Sequence, residues 1–176
     1  DAPGAVEALH DARGYADLSG YPFAASIVFP TLVAAQVALR DDGAAFAAID
    51  AWRATAPGGQ SLYETAVLSI CGDEAEARKR VRSRPLRVLR ADVVNVFTLT
   101  SFVVVVRIAL ALGLTDELRD AIATLDELVG RGVLATPSWP EFLPQLAAEV
   151  AAVIGAPDAD DRARFAADAR RSLVDD

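Results

Sequence analysis

The chain is poor in the residues on which most catalytic chemistry depends: it holds one cysteine, one histidine, one lysine and no methionine. A lone Cys71 excludes an intrachain disulfide, and nothing else calls for an oxidising compartment, so a cytoplasmic setting is expected. Cys71 itself reads as a buried, inert thiol, because Asp73 and Glu74 oppose the thiolate that reactivity requires. A lone His10 excludes a site built on two imidazoles. Glu7 and His10 have the Glu-x-x-His spacing of carboxylate-bridged di-iron bundles, but that centre needs two such motifs. A Ser-His-Asp or Cys-His arrangement would have to recruit the same histidine, and no serine stands in a Gly-x-Ser-x-Gly elbow. Gly58 and Gly59 sit in APGGQS, which matches neither phosphate-cradling glycine pattern and reads as a loop between helices. The chain is therefore expected not to be an enzyme, with no catalytic residue, cofactor or metal. Without a methionine at position 1, it is read as a domain excised from a longer protein or a processed form. DAPGAVEALHDARG lacks the basic leader and apolar core of an intact signal peptide.

What is abundant is alanine, valine and leucine. Hydrophobic residues make up 53% of the chain and aromatics only 7%, a balance that favours helices over sheets. The length suits a single domain spanning 1–176. Sixteen arginines against one lysine suggest a GC-rich bacterial source. The net charge of −8 favours solubility and argues against nucleic acid as a partner.

The longest apolar run, Val93–Leu112, would span a bilayer by length, but Asn95, Thr98, Thr100, Ser101 and Arg107 fall inside it. No membrane span is expected. Paired strands are the rival reading, since VVNVF and FVVVVRI are rich in β-branched residues, yet TLTS supplies no turn residue between them. One helix about 30 Å long, buried on nearly all sides, is the preferred reading.

The rest of the chain supports helices. Four times an apolar segment runs into a Gly and Asp turn and then a charged amphipathic segment, with turn glycines at Gly43, Gly72, Gly113 and Gly155. Glycine ends one helix in the left-handed conformation, and Asp73, Asp116 and Asp158 are placed to cap the next. Leu118, Ile122, Leu125, Leu128 and Val129 form an apolar stripe that needs a partner helix, the Val-rich segment before it being the nearest. The expected fold is all-α: about four antiparallel helical hairpins stacked as an irregular repeat or bundle.

CGDEAEARKRV, with Gly72 and Asp73 at the turn and the small Ala77 beyond, resembles a tetratricopeptide-type helical repeat. The closing stretch LAAEVAAVIGAPDADDRARFAADARRSL is similar to the helical regions of bacterial signal-transduction ATPases and transcriptional regulators. The resemblance implies a non-catalytic scaffold that holds a protein partner or a sister domain of the parent chain.

Two groups of residues are candidates for recognition. RKRVRSRPLRVLR carries +7 while the remainder carries −15. Its Arg78, Lys79, Arg80, Arg82, Arg84, Arg87 and Arg90 could meet an acidic protein partner, or could simply pair with Asp73, Glu74, Glu76 and Asp92. The second group supports the alternative of an effector-binding helical domain. Arg107, the odd cation of the apolar run, must reach solvent or meet a carboxylate; with Trp139 and Tyr21 it could line a pocket for a small apolar or anionic molecule.

Overall fold

The computed structural model describes residues 2–19, 22–56, 58–95, 98–136 and 138–175. Among these residues the protein is all-α. In chain order the elements are α1 (Ala2–Ser19), α2 (Pro22–Ala38), α3 (Asp42–Thr55), α4 (Gln60–Cys71), α5 (Glu74–Ser83), α6 (Leu99–Leu112), α7 (Thr115–Gly130), β1 (Ala135–Thr136), β2 (Glu141–Phe142), α8 (Leu143–Ile154) and α9 (Ala159–Asp175). None of these helices is long and apolar enough to cross a membrane.

The chain divides into two compact units. Residues 1–85 with 137–140 form the first, and 86–136 with 141–176 the second. In the first unit α2 packs against α1, α3 and α4, while α4 also meets α3 and α5. In the second, α7 packs against α6 and α8, and α8 against α9. Each of the four expected hairpins is thus a pair of consecutive helices in contact.

Turn chemistry explains where three of the helices stop. Gly113 and Gly155 take the left-handed conformation at φ of 64° and 69°. At each, the glycine N–H and the one after it fold back onto the last carbonyls: Gly113 to Leu110 and Leu114 to Ala109, Gly155 to Ala152 and Ala156 to Ala151. The first hairpin departs from expectation. Gly43 lies inside α3, and the left-handed residue closing α2 is Arg40, at φ 60°. Arg40 N–H bonds the Val37 carbonyl and Asp41 N–H the Gln36 carbonyl, the same double closure without a glycine. The Arg40 guanidinium in turn donates to the Ile70 carbonyl near the end of α4, a contact that glycine could not make.

Capping also differs in part from the sequence reading. Asp73 caps α5 as expected, accepting from the Glu76 N–H at 3.0 Å, and Asp41 caps α3 through the Ala44 N–H at 2.9 Å. Asp116 lies within the first turn of α7, where it receives Arg119 at 2.9 Å rather than a backbone N–H. Asp158 likewise receives a side chain, Arg162, at 2.9 Å. Because α5 has only 10 residues, its cap matters: Asp73→Ala is expected to cost about 1 kcal/mol. Faster amide exchange at Glu76 and Ala77 would register it, and unchanged exchange and urea midpoint would refute it.

The apolar run is a helix, but a shorter one than expected. α6 begins at Leu99, six residues after Val93, because Asn95 and Thr98 start it. The Asn95 N–H donates to Thr98 Oγ1 at 2.9 Å and the Thr98 N–H to Asn95 Oδ1 at 3.3 Å. That reciprocal pair satisfies N–H groups that open a helix, so side chains taken as interruptions inside the run are its boundary. From Leu99 on, ten of the fourteen residues are buried. Opposite lies the stripe of α7: Leu118, Leu125 and Leu128 are buried and Ile122 and Val129 half-buried. Burial of each of the three leucines stabilises by roughly 2 kcal/mol. The small ladder between β1 and β2, pairing Ala135 with Phe142 and Thr136 with Glu141, had no clear signal in the sequence.

Candidate functional site

The basic segment divides at the unit boundary, with Arg78 to Arg84 in the first unit and Arg87 and Arg90 in the second. Within α5, Arg78 reaches Glu74 at 2.7 Å and Lys79 reaches Glu76 at 3.1 Å, each one turn back along the helix. Arg80 bonds Glu64 of α4 at 2.5 Å and lies 3.5 Å from Glu76. Arg84 donates to the Ser61 hydroxyl at 3.1 Å, and Arg90 pairs with Asp92 at 3.2 Å. Arg82 and Arg87 are exposed. Much of the +7 is therefore balanced locally, through Glu74, Glu76 and Asp92 as the sequence allowed. Asp73 is spent on its cap, and Glu64 was not foreseen.

Glu64 is the more informative member. Only 16% of its side chain is exposed, and its two oxygens receive Arg53 of α3 and Arg80 of α5. One carboxylate on α4 thus holds the helix before it and the helix after it.

Arg107 forms the reciprocal arrangement in the second unit. Its Nε and Nη2 donate to the two oxygens of Glu141 at 2.6 Å each, a bidentate pair, and Nη1 donates to Glu149 of α8 at 2.5 Å. The Arg107 side chain is 25% exposed and that of Glu141 11%. Burial works against the guanidinium's charge, but hydrogen bonds and the fields of Glu141 and Glu149 outweigh it, and its pKa is raised. Since the folded value lies above the unfolded one, this stabilisation is fully present below the ordinary arginine range and is lost only in strong alkali. Of the two fates open to this cation, the carboxylate is the one realised. A small anion would have to displace a bidentate glutamate.

A third clamp joins α7 to α9. Arg162 bonds both oxygens of Asp126, Nη2 to Oδ2 at 3.1 Å, and also reaches Asp158. The Asp126 hydrogen bond is the leading cause of its raised pKa, ahead of the opposing effect of burial.

The residues put forward as pocket walls are Arg107, Trp139 and Tyr21. Tyr21 lies outside the described residues, Arg107 belongs to the second unit, and Trp139 belongs to the first. Trp139 is 5% exposed and packs on Tyr63, with ring centroids 6.1 Å apart. Tyr63 meets Trp52 edge-on at 5.0 Å, and Trp52 stacks on Phe29 at 6.3 Å. An aromatic column thus runs from α2 through α3 and α4 to the tip between β1 and β2.

The remaining chemical candidates have local explanations. Glu7 and His10 are exposed on α1, and no cluster of three metal-ligating side chains occurs among the described residues. The APGGQS loop is closed by its own glutamine, whose Oε1 accepts from the Gly58 N–H at 2.8 Å and whose Nε2 donates to the Ala56 carbonyl at 2.6 Å. Cys71 is half-buried, and burial pushes its thiol up, opposed by Arg40 and reinforced by Asp42 and Asp41. A raised value leaves less thiolate at neutral pH, and thiolate is the nucleophile. Alkylation by iodoacetamide at pH 7.5, followed by mass spectrometry, is expected to run several-fold slower than for a small free thiol. A faster reaction would overturn the assignment.

No protein-family model matches the chain, and no curated protein or solved structure matches it.

Proposed function

We propose that the chain is a non-catalytic helical-repeat scaffold, similar in its stacking to tetratricopeptide-type repeats, that mediates protein–protein or interdomain contacts in a bacterial regulatory protein. The supporting observation is that helices two places apart in the chain are tied together. α2 packs on α4, Arg107 links α6 to Glu149 of α8, and Arg162 links α9 to Asp126 of α7. Hairpins that stack one on the next make such links, because each hairpin buries its remaining apolar face only against its neighbour. Arg107 and Arg162 are each engaged by carboxylates, including one on a neighbouring helix. A cytoplasmic setting fits the absence of any structural need for disulfides.

The test combines two measurements on the full chain. Native mass spectrometry is expected to give the bare polypeptide mass; a small molecule retained stoichiometrically would replace the scaffold reading with the effector-binding one. A photo-cross-linking residue placed at exposed Arg82 or Phe165 and activated in the source cell is expected to give discrete protein adducts. Absence of adducts at both positions would count against a partner surface on α5 or α9.

A further inference from the structure

We infer that Ser83 is a phosphorylation site for an arginine-directed serine/threonine protein kinase, and that its phosphoryl group loosens the end of α5 from α4. The inference goes beyond the scaffold reading and does not depend on it.

The sequence sets one acceptor among cations. From Ala77 to Ala91 there is no acid, and Ser83 is the only serine, threonine or tyrosine in that stretch. Arginines stand three residues before it, one before it and one after it, as Arg80, Arg82 and Arg84. A kinase whose substrate channel is lined by carboxylates holds such guanidiniums through two-point bonds. Ser172 is the other serine directly after an arginine, but Asp168 and Asp175 flank it and Arg171 is paired with Asp168.

The fold leaves Ser83 accessible. It is the last residue of α5 and is exposed, as are Arg82, Arg84 and Pro85. Residues 85–90 belong to no helix or strand. With α5 only 10 residues long, its last turn opens readily to the extended form in which a kinase takes its acceptor.

The neighbours of Ser83 decide what the modification does. Its hydroxyl donates to the Arg80 carbonyl at 2.8 Å, and the Arg84 N–H donates to the same oxygen at 2.8 Å. Two side chains at this end reach α4: Arg80 bonds Glu64, and Arg84 donates to the Ser61 hydroxyl. In the transfer, Ser83 Oγ forms a bond to the γ-phosphorus of a nucleoside triphosphate and the bond to the bridging oxygen breaks. The hydroxyl proton passes to the kinase's base and the nucleoside diphosphate leaves. The ester oxygen then has no hydrogen to give the Arg80 carbonyl. A charge of about −1.5 to −2 stands at the negative end of the helix. The same charge draws Arg80 and Arg84 away from Glu64 and Ser61.

The test uses the full-length protein. Isolated from growing and from stationary source cells under phosphatase inhibition, and cleaved at glutamate so that the arginine-rich segment stays whole, it is expected to carry phosphate on Ser83. No phosphate there in either sample, or phosphate on Ser172 alone, would overturn the assignment. In source-cell extract with Mg²⁺ and ATP, Arg82→Gln is expected to lower Ser83 phosphorylation several-fold; an unchanged rate would reject recognition through arginine. For the structural consequence, phosphoserine is incorporated at position 83 during synthesis. Exchange of the Arg84 amide, read by NMR, is expected to be several-fold faster than in the unmodified protein and faster than in Ser83→Ala, which loses only the hydroxyl bond. Exchange equal to that of Ser83→Ala would show that the charge does not loosen α5.

Discussion

Glu141→Ala is expected to lower the unfolding free energy by about 2–3 kcal/mol, among the largest effects of any charged-residue substitution in the chain. The size follows from what is left behind. Arg107 would lose both of its bidentate bonds while three quarters of its side chain stays out of water, with Glu149 as the remaining carboxylate. A guanidinium in that position pays desolvation without full compensation. Replacing both partners by apolar residues of similar length, as Arg107→Met with Glu141→Leu, removes the charge together with its counter-charge. That double variant is expected to lie within about 1 kcal/mol of the unaltered protein. Arg107→Lys should behave more like the single variant, since an ammonium cannot make the planar two-point bond. Urea unfolding of the four proteins decides the matter. A Glu141→Ala cost below about 0.5 kcal/mol would place the clamp with exposed surface pairs, and a double variant no better than the single one would show that packing, not charge, sets the cost.

Trp52→Ala is expected to cost more, about 3–5 kcal/mol. The indole is 7% exposed and stands between Phe29, stacked at 6.3 Å, and Tyr63, edge-on at 5.0 Å. Removing it opens a cavity among three helices and breaks two aromatic contacts at once. The neighbouring backbones cannot close that space without disturbing the buried Ala48 and Ile49 on the same helix. Trp52→Phe keeps a ring in the column and should cost roughly 1–2 kcal/mol. The chain has two tryptophans, so the alanine variant leaves Trp139 as its single tryptophan reporter. An early shift of that emission to the red in denaturant, with loss of amide protection in α2 to α4, is the expected signature. A cost near that of the phenylalanine variant would show that the site collapses around the cavity.

The resemblance of these two cases to their sequence signals is uneven, and the unevenness has a cause. Local rules operate over three to five residues, and they were legible. The helical pairs, the left-handed Gly113 and Gly155, the Asp73 cap and the apolar stripe of α7 all follow from spacing, propensity and hydrogen-bonding capacity along the chain. Local reasoning failed where two rules competed. Asn95 and Thr98 looked like polar residues inside an apolar helix, yet their side chains bond each other's backbone and so begin it. Gly43 looked like the end of α2, yet Arg40 takes the left-handed position and its guanidinium finds the Ile70 carbonyl, 30 residues away.

The amino-acid sequence by itself determined the all-α fold class and the two fates open to Arg107, solvent or a carboxylate, because each depends on a side chain's neighbours along the chain or on the cost of burying a charge. Only the tertiary structure decided that the counter-charges are Glu141 and Glu149, that Glu64 serves Arg53 and Arg80 together, and that Trp139 completes a column begun by Phe29. Those partners stand up to 110 residues apart in the sequence. Many acids and aromatics were available to each, and the packing of helices alone brought these particular ones within reach.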